Sequence, residues 1–206
     1  MKTSNNSSEQ DLQGRFRPKE SIPTFGENVD ESNNSLNLSH NYTIENNKSL
    51  IIKSTIRKDD IVSVFDVAKY ILEKLNTSCT TMKLQKLVYY CQVWYLVWED
   101  KPLFKEKIEA WANGPVVRTL FNFHQGLYTI DKFKLTLGNS MRLSSLQKED
   151  IDSVLDFYGG KTSQWLIDQT HSEKPWIDAR KGLLPSERGS REISPQSIVD
   201  YYSSLK

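Results

Sequence analysis

Cysteine is scarce in this chain: Cys79 and Cys91 are the only two. Their spacing fits neither a disulfide framework nor a CxxC metal knuckle, so reduced, structural thiols are expected. Charge of one sign is missing as well. The 206 residues carry 27 basic and 26 acidic side chains, a formal net charge of +1, which disfavours nucleic acid and anionic membrane surfaces as partners. There is no long apolar run. The most apolar stretch, Tyr89 to Trp98, is interrupted by Gln92 and is about half the length of a membrane span. The opening MKTSNNSSEQ lacks the apolar core of a secretory signal. These absences point to a cytoplasmic protein without membrane insertion.

What is present divides into two parts. Residues 1–60 are rich in Ser and Asn, lack Trp and Cys, and show no sustained apolar period. Such a stretch buries too little apolar surface to offset the entropy of ordering its backbone. It reads as a polar extension, flexible or ordered by a partner, ahead of a domain over residues 61–206. No internal repeat is evident.

The domain is organised around residues 80–118, which hold Trp94, Trp98 and Trp111. Apolar residues at Leu84, Leu87, Val88, Cys91, Trp94, Tyr95 and Trp98 follow helical spacing. Thr80 or Thr81 supplies an N-cap, and Lys101–Pro102 stops the helix near Glu99–Asp100. A second helix is expected from Gly114–Pro115, with Gly114 as cap and Pro115 at the first position, carrying Val117, Leu120, Phe121 and His124 to a stop at Gly126. Phe104, Ile108 and Ala110 fit a short strand or a loop. Upstream, Ser63 and Asp66 form a capping box for a helix that ends at Asn76. Downstream, weak alternation over 127–143 predicts a β-hairpin turning at Gly138–Asn139. Helices follow from Ser144, near Ser163–Thr170, from Pro175 to Arg180, and from Ser194–Pro195. The fold class is mainly α: a single compact helical domain with a small β-hairpin.

Few residues look chemical. Gly159-Gly160-Lys161-Thr162 resembles the end of a P-loop, but Leu155 stands where the motif needs its first glycine, and a helix stop and restart explains the pair. Cys91 lies on an apolar helix face, not at an electropositive site that would favour a thiolate, so a Cys–His pair with His124 or His171 is disfavoured. Gln85, Tyr89 and Gln92 fall on one helical line, suited to a protein interface or a polar second face, or else to tyrosines packed at the core edge. Trp176 and Arg180 are one helical turn apart, which lets the guanidinium lie over the indole or reach a carboxylate. Both types are common at binding hot spots, although His171 satisfying loop backbone and Trp176 plugging the core is an equal reading.

Taken together, VFDVAKYIL (64–72), KLQKLVYYCQVWYL (83–96), KPLF and IEAWANGPVVRTLF (101–121) and HSEKPWIDAR (171–180) resemble the Panacea domain of SocA-like and GepA-like antitoxins, over about residues 62–202. The resemblance implies a largely helical domain with no catalytic residue, metal or cofactor. It implies the antitoxin of a type II-like toxin–antitoxin system, bacterial or phage, whose partner is a co-encoded toxin neutralised by direct binding. The alternatives are an adaptor delivering the toxin to an AAA+ protease and, less favoured, a DNA-binding autorepressor. The family-motif residues, and hence the candidate toxin-binding set, are Lys83, Gln85, Lys86, Tyr89, Tyr90, Trp111, Gly114, Pro115, His171, Pro175, Trp176 and Arg180, with Leu84, Leu87 and Val116 beside them.

Overall fold

The computed structural model describes residues 62–205, and the extension expected over residues 1–60 lies outside them. Helix α1 spans Val64–Leu75. Ser63 and Asp66 form its capping box, and Asn76 closes it in the left-handed conformation. Strand β1 is the pair Cys79–Thr80. Helix α2 runs Thr81–Glu99. The Thr80 side chain accepts from the Lys83 amide, and Asp100 ends the helix at φ 50°.

The seven-residue apolar face expected of α2 understates its burial. Every residue from Leu84 to Leu96 is buried, including Gln85, Lys86 and Gln92. Helices α1, α4 (Ser145–Tyr158), α5 (Ser163–Ser172) and α7 (Pro195–Tyr202), together with strand β3 (Gly114–Val117), surround it. A helix covered on all sides must satisfy its polar side chains internally. Gln92 does so by accepting from the Leu103 and Phe104 amides at 3.0 and 3.1 Å and donating to the Phe104 carbonyl at 3.3 Å. That fixes the loop that leads into the hairpin.

The hairpin is not where residues 127–143 suggested. It joins β2 (Ile108–Trp111) to β3 (Gly114–Val117), with Trp111 opposite Gly114 and a two-residue loop at Ala112–Asn113. Gly114 sits at φ +97° after a loop whose own residues avoid positive φ, the pattern of a turn followed by a glycine bulge. Segment 191–193 runs along the other edge of β2, pairing through Ala110 N–H to the Arg191 carbonyl and Ile193 N–H to the Ile108 carbonyl.

The helix expected from Pro115 therefore starts three residues later, as α3 (Arg118–His124). Its would-be first turn is strand, because β2 and side chains of α2 occupy the backbone groups that a helix would have used.

Residues 127–143 form a pinned loop in place of the expected hairpin. Only β4 (Thr129–Ile130) pairs, and it pairs with β1. Asp131 accepts from the Phe133 and Lys134 amides, each at 2.9 Å. Lys69 of α1 donates to the Lys132 and Leu135 carbonyls at 2.6 and 3.0 Å. Asp66 accepts from the Asn139 amide at 2.7 Å. Gly138 lies against the Phe65 carbonyl so closely that a Cβ would come within 2.2 Å of it. A single 3-10 turn at Ser140–Arg142 leads to the Ser144 capping box of α4.

Helix α6 (Lys174–Ala179) follows α5 directly, with Pro175 in its first turn and Arg180 as its C-cap. Buried Asp66 thus serves two elements, capping α1 and holding the loop. Asp66→Ala should cost about 2 kcal/mol, the sum of a lost cap and a lost buried hydrogen bond, read as a lower urea midpoint with an unchanged slope.

Candidate functional site

The motif residues converge on one object, the backbone of the β2–β3 hairpin. From the α2 side, Lys86 donates to the Pro115 carbonyl at 3.0 Å. Gln85 accepts from the Val117 amide at 2.8 Å and donates to the Val117 carbonyl at 3.4 Å, standing in for a neighbouring strand. From the opposite side, two residues address two successive carbonyls. Arg180 donates to Ala110 at 3.1 Å and Trp176 Nε1 to Trp111 at 2.9 Å. Arg180 also holds the Leu184, Pro185 and Glu187 carbonyls, which ties the 184–188 loop to the hairpin.

The aromatic partners reinforce this clasp. His171 stacks on Trp176 at 4.1 Å, and the Arg180 guanidinium lies 5.4 Å from the Trp176 ring centre, as the one-turn spacing allowed. Gly114 is required twice over. Besides its positive φ, a Cβ there would approach Lys86 Cε to 2.6 Å and Thr170 Oγ1 to 2.8 Å.

The line Gln85–Tyr89–Gln92 faces inward, so it is neither an outward interface nor a polar second face. The tyrosines lie within the core, not at its edge. Tyr89 meets the Tyr202 hydroxyl at 3.4 Å. Tyr90 donates to Glu173 at 2.7 Å and stacks on Tyr158 at 3.9 Å, and Trp94 donates to the Tyr158 hydroxyl at 3.3 Å. Tyr158 and Tyr202 fall on the apolar periods of α4 and α7, whose burial their spacing indicates. Glu173 is the member that spacing does not single out, a charge directly ahead of Lys174–Pro175. Lys83 is half-exposed on the first turn of α2, and Pro115 and Pro175 are buried.

Burial sets the electrostatics. It pushes the Lys86 ammonium down to about 7, with a backbone carbonyl as its hydrogen-bond partner. His171 is lowered by desolvation and then by the Lys86 charge. His124 is lowered by desolvation. Gln85 Nε2 donates to His124 Nε2 at 2.9 Å, which favours a neutral ring. Burial raises both thiols, Cys79 to about 11 and Cys91 further. Neither histidine is paired with Cys91: His124 is engaged with Gln85 and His171 with Trp176.

The glycines of the GGKT stretch lie between α4 and α5. Gly159 caps α4, Thr162 caps α5, and Lys161 lies 5.0 Å from both the Phe157 and Trp165 rings. Among the described residues, no group of three or more His, Cys, Asp or Glu is arranged to hold a metal.

Among the described residues, two surfaces present aromatic side chains to solvent. One is a groove of about 300 Å³ at the hairpin tip, between the start of α2, Trp111, Phe121, His124 and Arg188. Trp111 is oriented by Nε1 donating to Glu109 at 2.8 Å, and Arg118 grips the same carboxylate. Arg188 lies 4.2 Å from the Trp111 ring centre. Arg188 carried no sequence signal, being one of several mixed charges in the 187–192 loop. The other surface is the pinned loop, where Tyr128, Phe133 and Met141 are 81%, 80% and 78% exposed.

Residues 84–177 match the family model for the antitoxin SocA-like, Panacea domain. The matched span contains α2, the hairpin, the pinned loop, and the His171 and Trp176 clasp. Comparison with curated proteins and with solved structures gives no match.

The depressed ammonium of Lys86 makes stability depend on pH in a defined sense. The folded state releases this proton near pH 7, while the unfolded lysine holds it to about 10.5. The penalty is therefore full below pH 7 and is relieved as pH rises, by up to about 1.4 kcal/mol per unit. Between pH 7 and 8.5, before thiol ionisation in the unfolded chain opposes it, wild-type stability should rise. Lys86→Met should flatten that slope in paired urea titrations.

Proposed function

We infer that this chain, whose residues 84–177 form a SocA-like Panacea domain, is a non-enzymatic antitoxin that neutralises a co-encoded toxin by direct contact. The observation that carries this reading is the pinned loop. Tyr128, Phe133 and Met141, with Leu137 at 46% exposure, present large apolar side chains within a short span. Contiguous exposed apolar surface marks protein–protein contact sites, and aromatic residues dominate their energetics.

The loop is also held in place before binding. Lys69, Asp66 and Asp131 fix its backbone, so little ordering entropy remains to oppose association. The family match supports the kind of partner, and the loop supports the means.

The burial of α2 weighs against the DNA-binding alternative, because that helix has no free face to place in a groove. Among the described residues no helix is long and apolar enough to cross a membrane. The two buried free thiols suit a reducing cytoplasm, where we place the protein.

Co-expression with the product of the adjacent reading frame tests the reading, scored by growth and by co-purification. Growth rescue with a stable complex is expected. Rescue accompanied by disappearance of the toxin would transfer the role to proteolytic delivery, and no rescue would end the antitoxin reading. The double substitution Tyr128→Ser with Phe133→Ser should weaken the complex at least tenfold. Its thermal midpoint should stay close to wild type, because neither ring is buried.

A further inference from the structure

We propose that the groove at the hairpin tip is a second docking point, which receives a short acidic peptide segment of the partner with an apolar side chain beside its carboxylate. The proposal rests on the reading that this chain binds a protein, but it uses a different surface from the pinned loop. The walls are apolar and aromatic. Phe121 meets Trp111 edge-on at 4.7 Å, Met82 and Val116 add apolar surface, and Thr81, Asn113 and Ser186 add polar groups to the lining. A groove of about 300 Å³ lies at the small end of ligand sites, enough for one or two side chains and too small for a dinucleotide or a duplex.

Charge selects among small apolar occupants. Two guanidinium groups, Arg118 and Arg188, flank Trp111 at 5.2 and 4.2 Å. A single carboxylate, Glu109, stands against them, and it already accepts from Arg118 and from the Trp111 indole. Among the described residues, Arg188 has ring contacts with Trp111 and Phe121 and no hydrogen bond or salt bridge. Its N–H donors are therefore available at the rim, in the planar fork that suits a carboxylate.

The floor adds no positive charge, since His124 is held neutral beneath Gln85. The site thus carries two guanidinium groups against one carboxylate, over a largely apolar slot. That arrangement favours an acidic segment with an apolar anchor over a neutral or basic one.

The mount is rigid where it needs to be. Trp176 and Arg180 fix the carbonyls of Trp111 and Ala110, and Arg180 fixes the 184–187 backbone that leads to Arg188. One side chain therefore positions both walls of the groove, which gives the clasp a consequence at the surface.

The test uses the isotope-labelled full chain and two peptides, acetyl-Glu-Phe-Glu-Leu-amide and its glutamine counterpart acetyl-Gln-Phe-Gln-Leu-amide. The acidic peptide should shift the Trp111 indole and Arg188 side-chain signals and bind at least fivefold more tightly at low salt. That preference should shrink as salt rises and vanish in Arg188→Gln, an exposed substitution that leaves the fold intact. Equal binding of the two peptides, no shift at Trp111, or an unchanged preference in Arg188→Gln would each overturn the proposal.

Co-expression separates this from the antitoxin reading. Rescue by wild type but not by Arg188→Glu supports the groove. Equal rescue by both removes the groove and leaves the antitoxin reading intact. Failure of wild type to rescue removes the antitoxin reading, whatever the peptides show.

Discussion

Burial of α2 on every side is the constraint from which the rest of the structure follows. Its apolar residues stabilise the core by roughly 1.5–3 kcal/mol each for a full-sized side chain. Its polar residues would forfeit comparable amounts if left unpaired. Gln85, Lys86 and Gln92 therefore dictate what lies beside the helix. Each takes backbone partners from residues 103–117, which are folded to supply them, and Gln85 also meets the His124 ring. The helix and hairpin are in this sense one unit.

The late cluster His171, Trp176 and Arg180 completes that unit from the other side. Arg180 and Trp176 meet two consecutive carbonyls of β2, and His171 stacks on Trp176. Two distant stretches of sequence thus close on the two strands of one hairpin, which is clamped while its tip and Trp111 remain half-exposed. A surface built this way is stiff without being a large element of secondary structure. The pinned loop follows the same logic on a smaller scale, with Asp66 and Lys69 of α1 replacing the strand partner that the loop lacks. In both places, polar side chains substitute for sheet hydrogen bonds and leave apolar rings outside.

Lys86 shows what this economy costs. A buried ammonium bonded to a carbonyl is held well below its ordinary range, and its charge reaches His171 as well. Gly114 exists in part to make room for that side chain. The pair explains why a glycine, a lysine and a histidine far apart in the chain occur together. The explanation is structural, and it leaves the open chemistry to Trp111, Arg188 and the exposed loop.

The sequence by itself determined the local decisions. Ser63, Thr80, Ser144 and Ser194 start helices where hydroxyl caps should, and Asn76 ends one. Capping and apolar period depend on neighbours within one or two turns, so they can be read from spacing alone. The tertiary structure decided the rest. Gly114–Pro115 carries a sound helix-start signal, yet β2, Gln85 and Lys86 draw those backbone groups into a strand. The alternation of residues 127–143 fits a hairpin, but α1 binds the backbone first. Gln85, Tyr89 and Gln92 fall on one line of α2, and spacing could not tell an outward polar face from an inward one, because elements distant in sequence close over it. Periodicity reports which side chains share a face. Only packing determines whether that face meets water, and only long-range hydrogen bonds settle a contest between two locally acceptable backbones.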